Sequence, residues 1–163
     1  MSITLEEAFH GTARSFTLNG QSHRIRLKPG ITNGQTIRIK GKGQPAPAGG
    51  EPGDLYINLN IEKHPRFEVT GHDLHTSLPV EFTTLVLGGE VVVNTVDSTV
   101  KMNLKPGTEA GKKLRLKGKG LPASGKGLPG DLYVKLQVLV PQNFSAREKE
   151  LYEELAKLRN QLP

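Results

Sequence analysis

Leu27–Phe67 and Leu104–Phe144 are one segment written twice, aligned without a gap at a constant offset of 77. Of the 41 paired positions 20 are identical, and the identities fall on turn formers and strand residues. Lys-Pro-Gly recurs at 28–30 and 105–107, Gly-Lys-Gly at 41–43 and 118–120, and Pro-Gly-Asp-Leu-Tyr at 52–56 and 129–133. Self-similarity at a fixed period means one supersecondary unit used repeatedly. The chain is therefore expected to fold as two copies of one β-rich module, with a function that comes from surfaces and not from one active site.

The strand signal is alternation. Leu55, Ile57, Leu59 and Ile61 alternate with Tyr56, Asn58 and Asn60, and Leu132, Val134, Leu136 and Val138 repeat the pattern. A period of two predicts strands with one buried face. Shorter runs, Ile37–Lys40 and Leu114–Lys117, each end in Gly-Lys-Gly, where glycine accepts positive φ and the chain turns. In Lys-Pro-Gly the proline presets φ for a turn. The same offset sets Ile3 on Val80, Leu5 on Phe82 and Gly11 on Gly88, so the copies extend back to about 1–70 and 78–144, with a joint around Gly71–Ser77. Leu5–Phe9 and Phe82–Leu87 read as short helical turns between strands.

After Pro141 the character changes. Ser145-Ala-Arg-Glu148 is a capping-box pattern, in which hydroxyl and carboxylate each satisfy an orphan N–H at a helix start. Arg147–Leu162 is rich in helix formers, and Leu151, Leu155, Leu158 and Leu162 make an apolar stripe with Tyr152 and Ala156 beside it. A helix this short is marginal alone in water, so it must pack on its own unit or on a second chain. Its place after a complete repeat favours a second chain.

The search for chemistry excludes more than it finds. With no cysteine, disulfides and cysteine-ligated zinc are ruled out. Gly107–Lys113 has a phosphate-loop look, but the spacing is one residue short and no Ser/Thr follows the lysine. Neither Gly-Lys-Gly opens a helix, so a dinucleotide fingerprint fails too. The histidines, among them His72 and His75, form no ligand pattern, and no metal or other cofactor is expected. Asp54 and Asp131, matched after Pro-Gly, read as turn-stabilising acceptors. An enzyme is not expected. No apolar run approaches the roughly 20 residues of a membrane span, and MSITLEEAF lacks a signal-peptide layout, so the expectation is a cytoplasmic protein with no membrane partner. Net charge is +6, and Lys101–Lys135 carries nine basic residues against Glu109 and Asp131 alone. Such a patch either attracts anionic partners, DNA among them through Lys112, Lys113, Lys117 and Lys119, or is a solvated face.

ITLEEAFHGT, LKPG with a following Gly, IRIKGKG, and GDLYINLNIEKHPRF leading to GHDLHTSLPV together resemble the C-terminal region of DnaJ-type J-domain co-chaperones. LGGEV, LKPGTEAGKKLRLKGKG and PGDLYVKLQV resemble that region's second β-domain. The resemblance covers essentially the whole chain. It implies a mainly β protein of two tandem, small, β-sandwich-like domains, 1–71 and 72–144, followed by a dimerisation helix at 145–163. The absence of a Cys-x-x-Cys-x-Gly-x-Gly module points to the zinc-free subclass, similar to curved-DNA-binding protein. The absent His-Pro-Asp motif points to a piece of a longer chain that by itself does not stimulate a DnaK-type ATPase.

The resemblance also implies sites. A groove for extended segments of unfolded polypeptides maps onto Met1, Ile3, Phe16, Leu18 and Phe67. A contact for the acidic tail of a DnaK-type chaperone maps onto Arg14, with Lys28 beside it. Homodimer contacts fall on Leu151, Tyr152, Leu155 and Leu158. The matching positions of the second domain are Leu78, Val80, Val93, Thr95 and Phe144, where Val and Thr in place of Phe and Leu imply a poorer pocket. The two readings that follow are a client-binding and dimerising co-chaperone module, and a DNA-binding module based on the basic second domain.

Overall fold

The computed structural model describes residues 1–46, 50–123 and 125–161. In chain order the first copy contains β1 (Ser2–Ile3), α1 (Leu5–His10), β2 (Thr12–Leu18), β3 (Gln21–Leu27), β4 (Thr36–Ile39), β5 (Leu55–Asn58) and β6 (Asn60–Ile61). A hairpin of β7 (Glu68–Thr70) and β8 (Asp73–Glu81) leads into α2 (Phe82–Leu87), β9 (Gly89–Asn94), β10 (Thr99–Leu104), β11 (Lys113–Leu116), β12 (Leu132–Leu139) and α3 (Ala146–Asn160). The offset of 77 carries α1 onto α2 and β4 onto β11 to the residue, and lays β5 and β6 along β12. The duplication expected from sequence is a duplication of structure, and the chain is mainly β.

Local chemistry sets the elements. Thr4 Oγ1 accepts from Glu7 N–H at 3.2 Å while Glu7 Oε2 accepts from Thr4 N–H at 3.0 Å, a reciprocal cap that starts α1. Gly11 and Gly88 stop the two helices at the same φ of +78°, each with its N–H on the carbonyl four residues back. An added Cβ at either would lie 2.8 Å from the carbonyl oxygen of Leu27 or Leu104, so the next strand is allowed to pass close by. Asp54 and Asp131 each close a hairpin. Asp131 accepts from Gly118 N–H at 2.7 Å and from Arg115 Nε at 2.6 Å, and Asp54 from Gly41 N–H at 2.9 Å and Arg38 Nε at 2.6 Å.

β2–β3, β9–β10 and β4–β5 are antiparallel pairs. β1 runs parallel to β6, and the largest sheet has the order β11-β12-β8-β7, with β12 parallel to β8 from Leu132↔Leu74 to Leu139↔Glu81. Two expectations change here. The single strand expected over Leu55–Ile61 is broken at Leu59, because β1 pairs with only two of its residues whereas β8 supports β12 along eight. The expected joint at Gly71–Ser77 is mostly strand, and Glu68–Thr70, from the expected first domain, pairs with β8 in the second unit's sheet. Positions 73–77 have no counterpart within the first copy, so the repeat carried no signal there.

The core is continuous. Ile3, Leu5, Ala8, Leu27 and Leu59 belong to one buried cluster with Phe67, Leu74, Val93, Leu121, Leu132 and Val134. A second cluster, Val80, Leu85, Val91, Leu104 and Leu136, lies within the second unit. The units meet at a turn. Gly30 has φ +84°, and a Cβ there would fall 2.4 Å from Pro122 O, whereas its duplicate Gly107 faces open space at φ +74°. The first Lys-Pro-Gly is thus a seat for the Leu121–Ala123 segment, with Ile31 and Leu121 buried beside it.

α3 begins at the expected capping box, Ser145 Oγ to Glu148 N–H at 3.1 Å and Glu148 Oε2 to Ser145 N–H at 2.6 Å. It buries no residue. Leu151, Leu155 and Leu158 stand exposed, and Tyr152 packs edge-on to Phe144 at 6.0 Å. Leu162, the last of the expected stripe, lies outside the described residues.

Both the seat and the hairpin carboxylates can be tested by unfolding. Gly107→Ala should cost about 1–2 kcal/mol, the strain of a left-handed non-glycine residue, and Gly30→Ala clearly more, because Pro122 must also move; equal urea midpoints for the two variants would contradict the seat. The Asp54 and Asp131 carboxyls are held below the usual carboxylate range, first by the Gly41 and Gly118 N–H groups and then by their arginines. Their contribution is complete above about pH 4, where the unfolded carboxylates are ionised, and is lost as pH falls through the lower folded values. Asp54→Asn/Asp131→Asn should lower the urea midpoint at pH 7 and flatten its decline between roughly pH 4 and 2; an unchanged slope would place acid sensitivity elsewhere.

Candidate peptide-binding surfaces

Among the unpaired strand edges, one in each unit lies at positions that the repeat equates. In the second, β7 covers β8 only as far as His75, and β12 holds the opposite side throughout. Side-to-side alternation along a strand then aims the main-chain groups of Ser77 and Pro79 at the uncovered edge, since Leu74 N–H bonds to Asp131 on the β12 side. Beside this edge lies a cavity of about 850 Å³, into which Phe67, Leu78 and Val93 contribute apolar surface and Lys113, Lys135 and Arg66 contribute charge. Pro79 supplies no N–H, so this edge is one donor short for strand addition.

The offset transfers the same geometry to the first unit. There Met1 and Ile3 carbonyls accept from Asn60 and Glu62 N–H at 3.0 and 2.9 Å, which turns the Ser2 main-chain groups away from β6. Ser2 stands where the second unit has Pro79, so the first edge keeps its donor. Met1, Phe16 and Leu18 are half-buried, and Phe16 lies tilted against His23 with ring centroids 5.5 Å apart. The structure therefore leaves three of the five groove residues expected from the resemblance partly open. Ile3 at 0% and Phe67 at 3% exposure are core, and Phe67 lines the second unit's cavity.

Arg14 is engaged. Its guanidinium donates to Glu7 Oε2 at 2.6 Å, the bond that contributes most to holding the Glu7 carboxyl below its usual range. The duplicate of Arg14 is Val91, a core residue, so a position buried in the second unit holds a partly exposed, ion-paired arginine in the first. Lys28 is exposed and makes no ion pair among the described residues. In the second unit Leu78 and Val93 reach the cavity. Val80 is core, Thr95 is buried in the β9–β10 turn with its hydroxyl on Asp97 and Ser98, and Phe144 sits under α3. Phe144, Tyr152, Phe82, Val138 and Val140 line a separate, almost wholly apolar cavity of about 490 Å³.

The four lysines expected to make a nucleic-acid patch fall in and around β11. Lys112 and Lys117 flank β11 at opposite ends, Lys113 pairs across the sheet with Lys135, and Lys119 Nζ donates to Ser98 Oγ at 3.2 Å. His64 has a role that sequence reasoning missed. Its Nδ1 accepts from Arg66 and Phe67 N–H at 3.1 and 3.2 Å and its Nε2 meets Glu6 Oε1 at 3.2 Å, so the ring pins the inter-unit segment to α1. Its spacing, followed directly by Pro65, was the available signal. Among the described residues no group of three His, Asp or Glu side chains converges as a metal site, and no helix is long and apolar enough to cross a membrane.

Matching open edges in the two units and a helix with an uncovered apolar stripe are the surface features that stand out among the described residues. Residues 1–141 match the DnaJ C terminal domain, and the chain belongs to that family. It is 42% identical over 134 residues to the chaperone protein DnaJ of Acidithiobacillus ferrooxidans, covering 82% of this chain and 36% of that protein. Over 153 residues it is 40% identical to the chaperone protein DnaJ of Brucella anthropi, covering 93% of this chain and 40% of that one. The chain spans about two fifths of the length of the curated relatives it matches.

Proposed function

We propose that this chain is the client-binding and dimerising module of a zinc-free cytoplasmic co-chaperone, which holds extended apolar segments of unfolded polypeptides for a DnaK-type chaperone engaged through the full-length protein. It needs no catalytic group and no cofactor. The observation that carries the reading is the first unit's open edge, where Ser2 keeps the N–H that Pro79 lacks and Met1, Phe16 and Leu18 are only half-buried. Edge addition supplies sequence-independent main-chain bonds while the flanking apolar side chains supply preference. Ile3 and Phe67 support the groove from beneath.

The energetics suit weak and promiscuous capture. Covering two or three apolar side chains gains roughly 1.5–3 kcal/mol each, and ordering an extended peptide offsets several kcal/mol of that. Micromolar affinity, about −8 kcal/mol, is the natural range. Two grooves in one assembly raise the retention of a long chain through effective concentration. The exposed Leu151, Leu155 and Leu158, with Tyr152 anchoring the helix to its own unit, supply the surface for pairing with a second copy.

Phe16→Asp should weaken binding of a labelled, apolar, unstructured peptide at least tenfold in fluorescence anisotropy, at an unchanged circular-dichroism spectrum; unchanged affinity would contradict the groove. Leu151→Asp/Leu155→Asp should convert a dimer to a monomer in sedimentation velocity without altering the thermal transition of the β units; identical sedimentation of variant and parent would contradict the helix pairing.

A further inference from the structure

In the second unit, Lys113 and Lys135 are direct cross-strand partners on the outer face of the β11-β12-β8-β7 sheet. Like charges directly opposite one another destabilise a sheet. Neither lysine is in an ion pair among the described residues, where Arg115, Lys101 and Arg38 each have one. The duplicate pair in the first unit is Thr36 and Asn58, joined by a 2.6 Å hydrogen bond. One copy thus solves this position with a neutral, satisfied pair, and the other holds two unneutralised charges side by side. Folding does not account for the choice.

The surroundings do. Ser77 follows Lys135 in the same cross-strand row and, being small, leaves the way clear from the lysines to the open edge of β8. The adjoining row brings His75 and Tyr133 together as stacked rings, centroids 5.2 Å apart and planes 15° from parallel, which form a flat wall. Arg66 and His64 close the far side, and Glu68 is the one acidic residue lining the cavity of about 850 Å³. The site is concave and predominantly cationic, with Arg66, Lys113 and Lys135 against Glu68, which concentrates a positive field in it.

We propose that this cavity is a docking site for an acidic, extended polypeptide segment, whose carboxylates meet Lys113, Lys135 and Arg66 while its backbone lies along β8 at Ser77. Charge complementarity selects the occupant, and the uncovered main-chain N–H and C=O of Ser77 favour a polypeptide over a nucleic acid, which lacks matching strand groups. The missing donor at Pro79 makes this edge a poor general strand acceptor, so side-chain charge dominates. Phe67 borders both this site and the first unit's groove, but the charged residues that define the site are not groove residues and the proposal does not rest on the groove.

The test uses the full chain and a labelled peptide of about ten residues alternating Glu and Ser, titrated by fluorescence anisotropy at low salt. Lys113→Thr/Lys135→Asn copies the pair of the first unit, so it is compatible with the fold. It should weaken the peptide at least tenfold with thermal stability unchanged or raised. Lys105→Gln/Lys126→Gln, the same loss of charge away from the cavity, should leave affinity within about twofold. Equal weakening by both double variants, or no weakening by the first, would overturn the proposal. So would tighter binding of a short DNA duplex that competes with the peptide and depends on the same two lysines.

Discussion

The parallel pairing of β12 with β8 is the interaction on which the rest depends. It joins the last strand of the second copy to the strand that leaves the first, over eight residue pairs. It begins at a backbone crossing that only glycine permits, since a Cβ at Gly130 would fall on His72 O and one at Gly120 would lie 2.5 Å from the same atom. Leu121 N–H then bonds His72 O at 2.7 Å, and Asp131 N–H meets Asp73 Oδ1 at 2.8 Å. From there the Leu121–Ala123 segment reaches Gly30 of the first unit. The same few residues therefore close the second sheet, fix one side of β8 and dock one copy on the other. What β12 and β7 leave uncovered, the far edge of β8 beyond His75, becomes the place along that strand where another chain can lie.

Duplication made most of this legible. Turn residues at fixed offsets marked the hairpins, alternation marked the buried faces of β5 and β12, and the capping box at Ser145 marked the start of α3. Four things were hidden. The β7–β8 hairpin pairs Glu68–Thr70 with Asp73–His75, and 73–75 have no partner in the first copy, so the comparison that exposed everything else was blind there. The burial of Ile3 depends on which face of a two-residue strand meets the core, and a run that short carries no period; Phe67 lies outside any strand, just before β7, where alternation does not apply. The commitment of Arg14 to Glu7 is a tertiary contact across a helix and a strand, in a register where the other copy has Val91; sequence shows the substitution but not the pair. The lysine pair was equally invisible, because Lys113 and Lys135 become neighbours only through the β11–β12 register.

The two copies have kept one scaffold and diverged at their edges. Ser2 against Pro79, Phe16 against Val93, and Thr36–Asn58 against Lys113–Lys135 all change what an edge can hold without changing how the unit folds. On the proposed assignments the first edge is apolar and hydrogen-bonding, suited to unfolded segments, and the second is cationic and short of a donor, suited to an acidic one. On the same proposal, a helix that buries none of its own residues adds assembly without contributing to either surface.

The most direct test of this division of labour is a pair of amide chemical-shift maps on the intact chain, one with an apolar unstructured peptide and one with an acidic one. The apolar peptide should shift Ser2, Phe16 and Leu18, while the acidic peptide should shift Ser77, Lys113 and Lys135. Both peptides perturbing the same set of amides would contradict the division.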